Sequence, residues 1–273
     1  MPLRISDPRL NPRWRPHEWE PATQRTHRRY YRAAAVLLGV LVGVALFVFY
    51  QRDRTKGLTA VEVAQAAGRA MLGATGYRFR VDLAGESADR LFPSARMAGE
   101  YQREPAAMHL AGEAINGGTL VRLEYYLSGT DLYVKDPRDQ SWMLMHNTDF
   151  NELHSFQPDN LGAPLVSAVR RAEVVSRERL TGGEAVEIKL DMDPDVMQPL
   201  VGAGRSGQAE YRLWVYTRTL RPARFNIDFR AQRVPDVPHQ VLNFTYTLAW
   251  DFRRLPSVVV PDRVRTSARE VSQ

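Results

Sequence analysis

From residue 77 onward, apolar and polar positions alternate with a period of two. Tyr77, Phe79, Val81 and Leu83 are separated by Arg78, Arg80 and Asp82, the pattern of a strand with one face buried. The same alternation predicts strands over 96–102, 107–112, 119–127, 131–135 and 141–146, with Asp136-Pro-Arg-Asp139 as a turn between the last two. It resumes at Val186, Ile188, Leu190 and Met192, over 210–217, and at Phe225, Ile227 and Phe229. The clearest case is Leu242, Phe244, Tyr246, Leu248, Trp250 and Phe252. About ten strands follow from these segments.

Helical spacing is rarer. Thr59 stands as N-cap with Glu62 at the capping-box position, and Val61, Ala64, Gln65, Gly68 and Leu72 form a stripe ending near Gly73 or Gly76. A second helix is predicted over Asn160 to Ala172, with Pro164 in an early turn and Leu161, Leu165, Ala168 and Val169 on one face. Pro194 to Leu200 reads as a short helix or a loop. The fold class is mainly β (α+β): a strongly curved antiparallel sheet forming an incomplete barrel, with two or three helices on its concave side.

Ala33 to Tyr50 is a run of 18 residues without charge. As a helix it spans about 27 Å, close to the ~30 Å hydrocarbon core of a bilayer. Arg28, Arg29 and Arg32 flank one end and Arg52, Arg54 and Lys56 the other. The run exceeds the ~7–15 residues of a signal-peptide apolar region, and no small-residue cleavage site follows it. The expected organisation is a disordered basic cytoplasmic tail (1–32), a transmembrane anchor (33–50), a linker (51–58) and an extracytoplasmic domain (59–273). Eight Arg in the tail set the N-terminus inside, in the inner membrane.

The net charge of +6 does not signal nucleic acid. Of 37 basic and 31 acidic residues, eight and three lie in residues 1–32, leaving 29 and 28 beyond residue 50. The large domain is nearly neutral and lacks the basic face that nucleic acid requires. Cysteine is absent, which excludes disulfides, thiolate zinc sites and a Cys nucleophile.

No reaction is legible. His146, Asp149, Glu152 and His154 form the one histidine–carboxylate cluster, but their spacing is not that of a metal site, and they read as a solvated loop. Asp191, Asp193 and Asp195 lack the glycine and terminal Glu of a calcium loop. No Ser occupies a G-x-S-x-G elbow. No catalytic residue, metal or cofactor is assigned, and the chain is not expected to be an enzyme.

Tyr125-Tyr-Leu-Ser-Gly-Thr-Asp-Leu-Tyr-Val-Lys135 followed by Trp142, and Leu213-Trp-Val-Tyr216 followed by Thr219-Leu-Arg-Pro222, resemble segments of the bacterial lipoprotein-carrier superfamily, the LolA/LolB-like and LppX/LprG-like proteins. The resemblance extends over residues 59–265 by order of elements. It implies an incomplete antiparallel barrel around a helix, with a hydrophobic cavity for acyl chains. The chain departs from the family in its apolar N-terminal run and its lack of a lipid-modified Cys.

The expected function is a membrane-tethered binding module for a lipid, acyl chain or other apolar ligand. Its cavity candidates are Phe79, Val81, Met108, Leu110, Val121, Leu123, Tyr125, Phe225, Ile227, Phe244, Tyr246, Leu248 and Trp250. The alternative is a structural or regulatory interaction domain with a filled core, which would hold another envelope protein by its convex face or an edge strand.

Overall fold

The computed structural model of the chain describes residues 35–47, 52–87, 94–116, 119–146, 158–201, 207–231, 241–253 and 255–271. They fall in two compact units, Met1–Arg52 and Asp53–Gln273. In the first, residues 35–47 form a helix, α1, whose Val36, Leu38, Leu41 and Phe47 are all exposed. No helix among the described residues is long and apolar enough to cross a membrane. The ends of the 33–50 run and the whole 1–32 tail lie outside the described residues.

The second unit begins with α2 (Ala60–Leu72), followed by β1 (Gly76–Ser87), β2 (Ser94–Gln102), β3 (Ala107–Asn116), β4 (Thr119–Ser128), β5 (Asp131–Lys135) and β6 (Trp142–Met145). Next come α3 (Pro158–Ser167), β7 (Val169–Leu180), β8 (Gly183–Met192), α4 (Pro194–Val201), β9 (Gly207–Tyr216), β10 (Pro222–Ala231), β11 (Val241–Asp251), α5 (Asp262–Ser267) and β12 (Arg269–Glu270). Twelve strands form one curved, unclosed sheet in the order β12-β6-β5-β4-β3-β2-β1-β11-β10-β9-β8-β7. It consists of two meanders joined where β1 pairs with β11, from Arg78 opposite Asp251 to Ser87 opposite Val241. Every pairing is antiparallel except the short parallel contact of β12 with β6. The mainly β, incomplete-barrel class read from the sequence is the architecture found.

The predicted capping box is present: Thr59 N–H donates to Glu62 Oε2 at 2.7 Å, and Glu62 N–H donates to Thr59 Oγ1 at 3.3 Å. The buried face of α2 is turned from the expected one. It consists of Val63, Ala64, Ala67, Gly68 and Met71, whereas Val61, Gln65 and Leu72 are only half-buried. The reason is α3, which packs on α2 and needs small residues at the crossing. A Cβ on Gly68 would sit 2.7 Å from the Gly162 carbonyl oxygen and 2.9 Å from Leu165 Cβ.

The second predicted helix is shorter than the spacing suggested. It ends at Ser167, and Val169–Leu180 is a strand. The partly buried positions of β7 are Val169, Ala172, Ser176 and Leu180, spaced as on a helix. Bulges between Val169 and Arg171 and between Val174 and Ser176 break the period of two. Pro194–Val201, left open between helix and loop, is a helix.

Side chains of α2, α3 and α4 (Val63, Leu161, Leu165 and Met197 among them) join the apolar face of the sheet in one core. The fifth helix does not. Its Val264, with Val260, packs against Tyr126 and Tyr133 on the opposite face of β4 and β5. That face also carries a small apolar cluster of Ala185, Trp214 and Ala223, beside polar residues. Arg212 of β9 donates to Glu187 of β8 at 2.9 Å, and Ser176 of β7 donates to the same carboxylate at 2.7 Å. Glu187 is thereby satisfied although buried.

Asp53 to Thr55, within the segment read as a linker, are tied to the unit. Arg54 N–H donates to the Thr217 carbonyl at 2.8 Å, and Arg177 donates to Asp53 at 2.7 Å.

The α2–α3 crossing predicts that Gly68→Ala destabilises the unit by about 1–3 kcal/mol, because the obstructing atom is backbone that a rotamer change cannot clear. A urea titration of the variant against the parent, read by tryptophan fluorescence, measures this. An unchanged midpoint would mean the helices are free to separate.

Candidate functional site

The antiparallel register arranges the apolar face in rows that run across the strands. One row joins Ile188, Leu213, Phe225, Leu248 and Val81. The next joins Leu190, Tyr211, Ile227, Tyr246 and Leu83. The outermost places Ala209, Phe229, Phe244 and Gly85 side by side. Phe229 and Phe244 stack with centroids 5.0 Å apart, and Tyr211 stacks on Phe225 at 6.2 Å.

The deep row is filled: Ile188, Leu213 and Leu248 are each 0% exposed. The outermost row opens into a cleft of about 1290 Å³ at the strand ends. Leu190, Met192, Ala209, Tyr211, Phe229 and Phe244 line it together with a majority of polar residues, among them Arg170, Lys189, Asp191, Asp195, Glu210, Arg212, Asp228 and Arg230. Most of these charges are matched. Lys189 reaches Glu210 at 2.9 Å, Arg212 reaches it at 2.6 Å, and Arg170 meets Asp193 at 2.7 Å. Lys189 and Arg212 together hold the Glu210 carboxyl below its ordinary pKa. Asp228 accepts from Thr245 Oγ1 at 2.7 Å. The cleft therefore combines largely matched charges with apolar side chains that are mostly buried beneath them.

Of the sequence candidates, Phe79, Val81, Met108, Leu110, Phe225, Ile227, Leu248 and Trp250 are buried in the main core. Tyr125 and Tyr246 pack against it while half-buried. Val121 and Leu123 are half-buried. Phe244 is the candidate that lines the cleft. Tyr211, Phe229, Leu190, Met192 and Ala209 were missed. Phe229 shares the parity of Phe225 and Ile227 along β10, and that parity was the available signal, whereas β9 held no candidate to set it for Tyr211. Burial raises the pKa of both Tyr211 and Tyr246.

The histidine–carboxylate cluster is only partly described, since Asp149, Glu152 and His154 lie outside the described residues. His146 meets Asp131 at 2.8 Å and Glu270 at 3.7 Å. Among the described residues no group of three or more metal-ligating side chains converges. Asp193 is engaged by Arg170 and by the Asp195 backbone N–H.

No family model matches the chain, and no curated protein matches its sequence. Solved structures do match. LprF from Mycobacterium bovis is 16% identical, with a TM-score of 0.52 over 74% of this chain and 96% of that one. The lipoprotein LppX from Mycobacterium tuberculosis is 15% identical, with a TM-score of 0.49 over 70% and 93%. A LolA superfamily protein from Nitrosomonas europaea is 11% identical, with a TM-score of 0.28 over 76% and 97%. The chain thus shares the fold of LprF.

His146 provides a titration to measure. The hydrogen bond to Asp131, followed by its charge and by Glu270, raises the His146 pKa above its ordinary 6.5. The resulting stabilisation of the β5–β6–β12 edge is fully present below pH 6.5 and is lost as pH rises through the folded-state value. An NMR titration of the imidazole should give a midpoint above 6.5, lowered more by Asp131→Asn than by Glu270→Gln. A midpoint unmoved by Asp131→Asn would refute the assignment.

Proposed function

We propose that the chain is a membrane-tethered extracytoplasmic binding module whose Asp53–Gln273 unit takes up an acyl chain or other apolar ligand through the cleft at its strand ends. The observation that carries this reading is the cleft itself. It is about 1290 Å³ in volume and brings Ala209, Tyr211, Phe229, Phe244 and Met192 together with charged side chains at the strand ends of a sheet with the LprF fold. Burying an apolar chain there is favourable by about 25 cal/mol per Å² and needs no charged partner. The tether in this reading is the 33–50 run. Its described part is helical, with Val, Leu and Phe exposed along it, as lipid contact requires. The N-terminus stays inside the inner membrane and the larger unit outside.

A second reading, an interaction domain with a filled core that holds another envelope protein, is favoured by one observation. The row of Ile188, Leu213 and Leu248 has no accessible space.

Two substitutions and one measurement separate the readings. Native mass spectrometry of residues 53–273 should find co-purified lipid under the first reading and none under the second. Ala209→Trp, at the cleft, should abolish binding of a fluorescent fatty acid with little loss of stability. Leu248→Trp, in the filled row, should cost about 1–3 kcal/mol wherever the ligand sits. Equal binding by the parent and Ala209→Trp would place the ligand elsewhere.

A further inference from the structure

The two ends of the β7–β11 strands differ in charge. At the cleft end most charges are matched. The opposite end is built from the β7–β8 turn, the β9–β10 turn and the first residues of the second unit. Register makes the two turns neighbours: Arg179 stands opposite Glu184, Ala185 opposite Tyr216, and Val215 opposite Pro222. Arg54, Lys56, Arg179, Arg218 and Arg221 are all exposed there. Among the described residues no carboxylate pairs with Arg54, Lys56, Arg179 or Arg218, and Arg221 lies over the Phe252 ring at 5.3 Å. The acids nearby are largely engaged. Asp53 takes Arg177 at 2.7 Å, Asp251 takes Arg253 at 2.7 Å, and Glu184 is 3.7 Å from Arg177, while Glu178 is exposed. With 29 basic and 28 acidic residues beyond residue 50, the chain there is nearly neutral as a whole, so this strand end carries a local excess of positive charge.

The polypeptide enters the second unit at the same end. Arg54 N–H donates to the Thr217 carbonyl at 2.8 Å, and Arg177 donates to Asp53 at 2.7 Å and to Thr55 Oγ1 at 3.2 Å. Thr55 and Thr217 are 6% and 1% exposed. Residues 53–55 are therefore fixed to the strand ends and do not swing as a linker would. Two residues separate Asp53 from Tyr50, the end of the apolar run. An extended chain at ~3.5 Å per residue covers at most about 11 Å over that stretch. The cleft is much farther away. β9 runs from Gly207, which lines the cleft, to Tyr216 at the basic end, a length of roughly 30 Å at ~3.3 Å per residue.

We infer that this basic strand end is a docking surface for anionic phospholipid headgroups, which seats the unit on its own membrane with the mouth of the cleft turned away from it. This rests on the tethered reading above and adds which surface meets the bilayer. Anionic headgroups supply the phosphate partners that Arg54, Lys56, Arg179 and Arg218 lack within the protein. A tether holds one point of the unit near the membrane and leaves its tilt free. Contacts spread over two turns and the entry segment fix the tilt. A mouth held in this way does not draw a ligand directly from the anchoring bilayer. It exchanges ligand with a carrier or a membrane on the far side.

The chain has no cysteine, so single Thr181→Cys and Gln208→Cys variants place one fluorophore in the β7–β8 turn or at the cleft mouth, both exposed positions. The full chain is placed in nanodiscs of mixed phosphatidylcholine and phosphatidylglycerol that carry acceptor-labelled headgroups. Energy transfer should be strong from Thr181→Cys and about twofold weaker from Gln208→Cys, given the length of the strands between them. In discs of phosphatidylcholine alone, or at high salt, the contrast should narrow, because the charged contacts that fix the tilt are gone or screened. Arg54→Gln/Lys56→Gln/Arg179→Gln/Arg218→Gln should narrow it in the mixed discs as well, with an unchanged urea midpoint. If that variant does not fold, the lipid and salt dependence of the parent decides alone. Equal transfer from the two sites in mixed discs, or stronger transfer from Gln208→Cys, would overturn the docking surface. A contrast that persists in phosphatidylcholine and at high salt would also overturn it, since the buried attachment at Thr55 would then set the tilt without the charges. A chain that stays outside the discs would overturn the tethered reading and the docking surface together.

Discussion

The structure depends on the register between β1 and β11. These strands sit at the centre of the sheet order and, among the described residues, make the one strand pairing between the β1–β6 and β7–β11 meanders. Phe79, Val81 and Leu83 meet Trp250, Leu248 and Tyr246 along this seam, so both meanders present their apolar side chains to the same face. A slip of one residue would turn one meander inside out, because side chains alternate with a period of two. Polar partners on the other face resist the same slip: Arg80, Asp82 and Ala84 lie opposite Ala249, Thr247 and Thr245, with no apolar residue larger than alanine among them. The rows that build the cleft cross this seam and exist only in this register.

The helices decide which rows are open. α2 packs on β7, β9 and β10 and on α3, and its Ala64, Ala67 and Gly68 let α3 lie against it closely. Together the helices close the inner part of the apolar face, where Ile188 and Leu213 are inaccessible. They leave the strand ends at Phe229 and Phe244 to the cleft. The inaccessible core and the cleft lining thus draw on different rows of one sheet. The same side-chain chemistry serves both, and depth along the strand separates them.

Much of this architecture is legible in the alternation of side chains, and the failures have identifiable causes. β1, β4, β8, β10 and β11 keep their parity over the alternating residues read from the sequence, the shifts in β1 and β10 falling at Glu86/Ser87 and Pro222/Arg224, near the strand ends. β7 does not, because two bulges give its partly buried residues helical spacing. The stripe expected on α2 shares Ala64 and Gly68 with the buried face but takes Val61, Gln65 and Leu72 in place of Val63, Ala67 and Met71. Strand parity put Phe225, Ile227 and Leu248 on the correct face, but parity carries no information about which row a residue joins. Rows arise from register between strands far apart in sequence, so the distinction between Leu248 in a filled row and Phe244 at the mouth is a property of the folded sheet. Tyr211 escaped attention for the same reason.

The seam also sets an order of events for a chain leaving the ribosome. It pairs residues about 170 positions apart, Arg78 with Asp251, while most other pairings in the sheet join neighbours in sequence. Each meander can form from local hairpins, yet the edge of β1 that faces away from β2 has no partner until β11 has been made. Nearly the whole polypeptide must therefore be synthesised before the apolar face is shared and covered. Loop closure over such a distance is a slow step. During that interval half a sheet stands with its hydrophobic side bare, the state in which chains of this kind depend most on being kept apart from one another.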